Sequence, residues 1–229
     1  MTNSDSAAES TTTLTGRKRM TAGERRGQLI DSAIAPFGRH GFSGTTTKAL
    51  ALAAGISEAT IFKHFPTKAD LYAAAFDRRT AVGTKELVAT LQVHMDRGED
   101  EELLRAVTRA IFLGFEIDRD LHRMLLFIQL EQNASENEQL LHGMQKSVLF
   151  GFLDRYVAQR QAEGAFAPGN LGLLSGLLAG VPVQYATRTK LYGQSSGASD
   201  EEVVDTYARF LLAGLRGDQS ADATPRATQ

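Results

Sequence analysis

The stretch GISEATIFKHFPTK, Gly55 to Lys68, concentrates side chains that could meet an anion. Ser57 has the oxygen to cap a helix start, and Pro66 would stop that helix about two turns later. Ile61 and Phe65 stand four apart and share one face. If that face is buried, Lys63 and His64 point away from it. An outward ammonium is a point charge suited to phosphate. Other chemistries have less support. The chain has no Cys, which excludes disulfides and thiolate metal sites. Its five His show neither H-x-x-x-H nor H-E-x-x-H spacing. GQSSG, Gly193 to Gly197, fits the G-x-S-x-G of serine hydrolases, but that elbow needs a strand before it and a helix straight after. Here a helical pattern precedes it and Gln, Ser and Gly make a loop. No dinucleotide fingerprint or P-loop is present. No catalytic residue, metal or cofactor is assigned.

The elements that would position these groups are short. Thr46 or Thr47 can cap a helix ending at Ala54, and Gly55 supplies the left-handed backbone for a sharp turn. Ser57 opens the next helix. Two short helices across a Gly-bearing turn make a helix-turn-helix, whose second helix enters the DNA major groove. Leu50, Ala51, Ala54, Ile56, Ile61 and Phe65 form the apolar set that would hold the pair against a first helix carrying Ile30, Ala33, Ile34 and Phe37 and ended by GRHG.

Charge supports a polyanion at one end. The 229 residues carry a net charge of −2, yet Arg17 to Lys68 holds nine basic and three acidic residues. That segment is +6, which leaves −8 on the rest. A solvated basic face would have the same composition.

The text from Arg25 to Phe76, with HGF, then TTTKALALAAGIS, then TIFKHFPTKADL, resembles the TetR family of bacterial transcriptional regulators. The resemblance covers about a quarter of the chain, and the remainder matches in architecture alone. It implies an all-α homodimer that acts as a transcriptional repressor, binds a palindromic double-stranded DNA operator and answers to a small-molecule effector. It implies that Thr46 binds a phosphate at a helix start, with Thr47 and Lys48 at the groove edge. Glu58, Ala59 and Thr60 would open the recognition helix. Phe62, Lys63 and His64 would follow along the sugar-phosphate wall, and Lys68 would clamp a phosphate. Two residues depart from the family pattern. Phe62 stands where the family often has Tyr, which removes a phenolic contact. Glu58 is acidic where a basic or amide side chain is common; its carboxylate suits the helix N-terminus, and it could instead accept from a cytosine amino group.

Beyond the head the apolar residues keep helical spacing, with breaks near 96–100, 133–137, 164–170 and 193–199, for about nine helices in all. Residues 1–20 read as a disordered arm without a signal sequence, in which Arg17, Lys18 and Arg19 could enter a minor groove or stay free. Residues 21–68 read as the DNA-binding domain, 69–216 as the ligand-binding and dimerising body, and 217–229 as a disordered tail. Pro36 and Pro182 fall inside helical patterns, where each should bend or end its helix. The apolar run Leu171 to Ala186 is too short and interrupted to span a membrane. By the resemblance the last two helices pair between subunits, and Phe112, Phe115, Met124, Phe127, Met144, Phe152 and Tyr185 either line an effector pocket or are plain core. The expected location is the cytoplasm. An activator of the same family stays open, as does a helical small-molecule-binding or enzymatic protein whose helix-turn-helix is only structural.

Overall fold

The computed structural model describes residues 20–80, 83–130 and 148–217. All of the expected arm but Met20, together with Met144 and almost all of the tail, lies outside these residues. Ten α-helices and no strand occur among the described residues: α1 (Ala22–Gly44), α2 (Thr47–Ala54), α3 (Glu58–His64), α4 (Lys68–Thr80), α5 (Thr84–Arg97), α6 (Asp100–Ile117), α7 (Arg119–Leu130), α8 (Val148–Ala162), α9 (Leu171–Ala186) and α10 (Asp200–Arg216). The all-α expectation holds. The described residues alone hold ten helices against about nine expected for the chain, and the breaks between α4 and α5 and at Asp118 between α6 and α7 were not among those expected.

Thr21 and Glu24 close a capping box at the start of α1: the Thr21 N–H donates to Glu24 Oε2 at 2.7 Å, and the Glu24 N–H donates to Thr21 Oγ1 at 3.2 Å. Neither proline ends its helix, so the expectation of an early stop is corrected. Helix α1 runs through Pro36, and its non-helical residue is Gly41, at φ 69° and ψ −176°, within the expected GRHG stop. Helix α9 runs through Pro182 to Ala186 and then widens into a π-helical turn, Thr187–Leu191. Both prolines are buried, so packing of the ring offsets the missing hydrogen bond at each.

Two apolar clusters organise the chain. The first gathers Leu29, Ile30, Ala33, Ile34 and Phe37 of α1 with Leu50 and Ala54 of α2 and Ile61 and Phe65 of the α3 end. It also takes in Leu71, Tyr72 and Ala75 of α4, and Met124 and Ile128 of α7. Tyr72 donates its hydroxyl to the Met124 carbonyl at 2.9 Å, and its ring meets Phe37 edge-on at 4.7 Å. The second cluster joins α5, α6, α8, α9 and α10 through residues such as Leu91, Leu104, Phe152, Tyr156, Leu178 and Val204. A buried Asp100 carboxylate at the start of α6 accepts from Tyr156 (3.0 Å) and Arg160 (2.7 Å), tying α8 to α6. Burial, with that carboxylate beside it, pushes the Tyr156 hydroxyl far above its ordinary pKa, so it stays protonated as the donor.

Candidate nucleic-acid interface

The head is assembled around a run of three threonines that play three parts. Thr45 is 1% exposed, and its Oγ1 lies 2.6 Å from the Gly41 carbonyl and 3.1 Å from the Pro36 carbonyl. It fastens the kinked end of α1 to the chain entering α2. Thr46 is the cap, accepting from the Ala49 N–H at 3.1 Å, and is otherwise exposed. Thr47 donates to Glu58 Oε2 at 2.5 Å, which ties the first turn of α2 to the first turn of α3. Sequence reading missed the part of Thr45, whose signal was present: a β-branched hydroxyl two residues before a helix, next to a Gly-rich stop.

The turn follows from Gly55, at φ 66° and ψ 37°, with the Ile56 N–H returning to the Ala51 carbonyl at 3.0 Å. Ser57 then caps α3, accepting from the Thr60 N–H at 3.3 Å and lying 2.9 Å from the Thr60 hydroxyl. Ile61 and Phe65 are fully buried. The opposite face carries Ala59, Phe62 and Lys63, all exposed, at spacing i, i+3 and i+4. His64 and Thr60 are half-buried at its margins. Lys48 is exposed on α2, and neither it nor Lys63 forms an ion pair among the described residues.

Two cations of the basic segment are engaged by groups of the head itself. The Lys68 ammonium donates to the carbonyls of Phe42 (2.8 Å) and Thr45 (3.0 Å) and sits 4.2 Å from the centre of the Phe42 ring. It binds the start of α4 to the end of α1. The Arg26 guanidinium lies over the Phe65 ring at 4.5 Å, covering the base of α3. Glu58, engaged with Thr47, holds the helix pair together at its open end.

The body candidates are dispersed. Phe112 stacks on Tyr185 at 5.2 Å, and Tyr185 meets Tyr207 edge-on at 5.9 Å. Phe115 is buried against His122, with ring centres 3.8 Å apart. Phe152 is fully buried in the same cluster, while Met124 belongs to the head cluster and Phe127 is half-buried on α7. A hollow of about 280 Å³ between α6 and α10 is lined by Phe112, Arg109 and Glu201, and the last two pair at 2.7 Å. The GQSSG segment is a loop between the π-helical turn and α10, where Ser196 reaches the Tyr185 hydroxyl at 2.7 Å. Among the described residues no helix is long and apolar enough to cross a membrane.

Comparison with known proteins agrees with the head. Residues 29–75 match the family described as bacterial regulatory proteins, tetR family. The chain is 25% identical over 120 residues to the "Probable acrEF/envCD operon repressor" of Escherichia coli K12, covering 52% of each chain. It is 28% identical over 110 residues to the "HTH-type transcriptional activator FasR" of Mycolicibacterium smegmatis, covering 47% of this chain and 48% of that one. The chain therefore spans about half the length of these relatives. The fold matches that of the transcriptional regulator FadR from Bacillus subtilis, solved in complex with stearoyl-CoA. That match has a TM-score of 0.62 at 18% identity and covers 82% of this chain and 97% of the other.

Proposed function

We propose, from the premise that this chain carries the head of the tetR family of bacterial regulatory proteins, that it is a ligand-responsive DNA-binding transcriptional regulator. It acts as a repressor and holds a palindromic operator as a dimer. The observation that carries this reading is the division of α3: Ile61 and Phe65 are locked into the head, while Ala59, Phe62 and Lys63 stand outward beside the capped start of α2. Such a helix can lie in a major groove while the exposed Thr46 hydroxyl and the N-terminus of α2 meet a phosphate. Lys48 and Lys63 supply the charge that positions the head, and Thr47 with Glu58 keeps the two helices in register. The basic head on an acidic body fits this division of labour.

Dimerisation through the last two helices is supported by apolar side chains left outward on them: Leu173 and Leu177 on α9 and Phe210 on α10. An effector lodged in the body would act by favouring one of two arrangements of the heads. Phe112 stacked on Tyr185 supports an effector with an apolar part, such as the acyl chain of the stearoyl-CoA held by the Bacillus subtilis regulator. A protein that works on the chromosome of a bacterium belongs in the cytoplasm. Activation is the second reading, because the Mycolicibacterium smegmatis relative is named an activator.

Gel-shift titration of the purified chain with genomic fragments tests the proposal. Lys63→Ala and Thr46→Ala are expected to weaken binding about tenfold or more while the dimer, measured by sedimentation, stays intact. If either substitution dissolves the dimer and leaves DNA binding per dimer unchanged, the head has been assigned to the wrong surface.

A further inference from the structure

The outward face of α3 is poor in hydrogen-bonding groups. Glu58, the acid at its start, is held by Thr47 at 2.5 Å. The Thr60 hydroxyl lies 2.9 Å from Ser57. Ala59 offers a methyl group, and Phe62, 46% exposed, offers an aromatic ring with no hydroxyl. Lys63 alone remains as an exposed cation on that face. The Phe62 side chain stands 46% exposed, although Phe65, three residues on, is fully buried. An exposed aromatic side chain flanked by Lys63, with Lys48 on the adjoining helix, fits a surface that is apolar at its centre and anionic at its rim. A major groove rich in thymine is such a surface: its floor carries 5-methyl groups and its walls are phosphate.

We propose that Phe62, with Ala59 beside it, reads a thymine 5-methyl group in each half-site, and so sets sequence preference by apolar contact rather than by hydrogen bonds. The proposal rests on the operator-binding reading above. Neither side chain can donate to or accept from a base edge, and the thymine methyl is the apolar mark a major groove displays. Lys63 would supply the phosphate or guanine contact next to it. The two α3 helices of a dimer would then each require one thymine at a fixed place.

The test uses the full chain and a duplex it selects from a randomised library. Each thymine of that duplex is replaced in turn by deoxyuridine, which removes the methyl and keeps the base-pairing edge. At one position per half-site, the substitution is expected to weaken binding about fourfold, and about fifteenfold when both half-sites carry it, from the loss of one buried methyl per head. Phe62→Ala is expected to bind the thymine and uracil duplexes equally, and Phe62→Leu to keep part of the preference. Wild-type protein that selects a sequence yet ignores deoxyuridine everywhere overturns this inference alone. A thymine preference that persists undiminished in Phe62→Ala also overturns it, because another residue then does the reading. If Phe62→Ala binds nothing, the wild-type comparison and Phe62→Leu decide. A chain that selects no sequence at all overturns both this inference and the operator-binding reading.

Discussion

Lys68 shows how a residue type can be legible while its work is not. The resemblance makes Lys68 a phosphate clamp; in the folded head its ammonium holds the Phe42 and Thr45 carbonyls and rests on the Phe42 ring. Those carbonyls come from the end of α1, twenty-three and twenty-six residues away. Sequence spacing along one helix carries no information about a contact of that range. Ile61 and Phe65, by contrast, were legible, because their burial follows from a four-residue spacing within one short helix. Glu58 lies between the two cases: a helix-end role could be read locally, but its partner Thr47 could not. At this scale the expected result is that Lys68→Met, which keeps the aliphatic stem, lowers head stability by about 1–3 kcal/mol, the cost of leaving acceptors without their charged donor. Chemical denaturation measures it. A variant as stable as the parent but weaker on DNA would make Lys68 a phosphate contact instead.

The helices themselves were legible wherever caps and periodicity agreed. Ser57, Gly55 and Thr46 sit where their chemistry places them. The prolines misled because their helix-breaking cost is a local quantity, whereas Pro36 and Pro182 are buried in clusters built from distant residues. One close approach between elements was also invisible in the sequence. A Cβ at Gly38 would stand 2.9 Å from the Asp120 Cα and 2.9 Å from its carbonyl oxygen, so α1 and the first turn of α7 meet backbone to backbone. Arg79 reinforces that corner by pairing with Asp118 at 3.2 Å. Gly38→Ala must push the two helices apart, and a loss of about 1–3 kcal/mol is expected, read as a lower unfolding midpoint. An unchanged midpoint would mean that this approach is not needed by the folded state.

At the scale of the whole molecule, the head is not closed by its first three helices. Its core borrows Leu71, Tyr72 and Ala75 from α4 and Met124 and Ile128 from α7, and α7 follows directly on α6 of the body cluster. A displacement of α6 would therefore reach the head through packed side chains of α7 rather than through a flexible linker. The charge division, a basic head on an acidic body, was legible in composition; the sharing of α7 was not, because it depends on which apolar faces meet. The most direct test of the central claim is selection of duplexes from a randomised library by the full chain, followed by a salt titration of the winning sequence. The expected result is a two-fold symmetric sequence, with half-sites one helical turn or a multiple of it apart, bound with an affinity that falls with salt at a log–log slope of about −0.9 per phosphate contacted. Enrichment of no sequence, or binding indifferent to salt, would contradict the account.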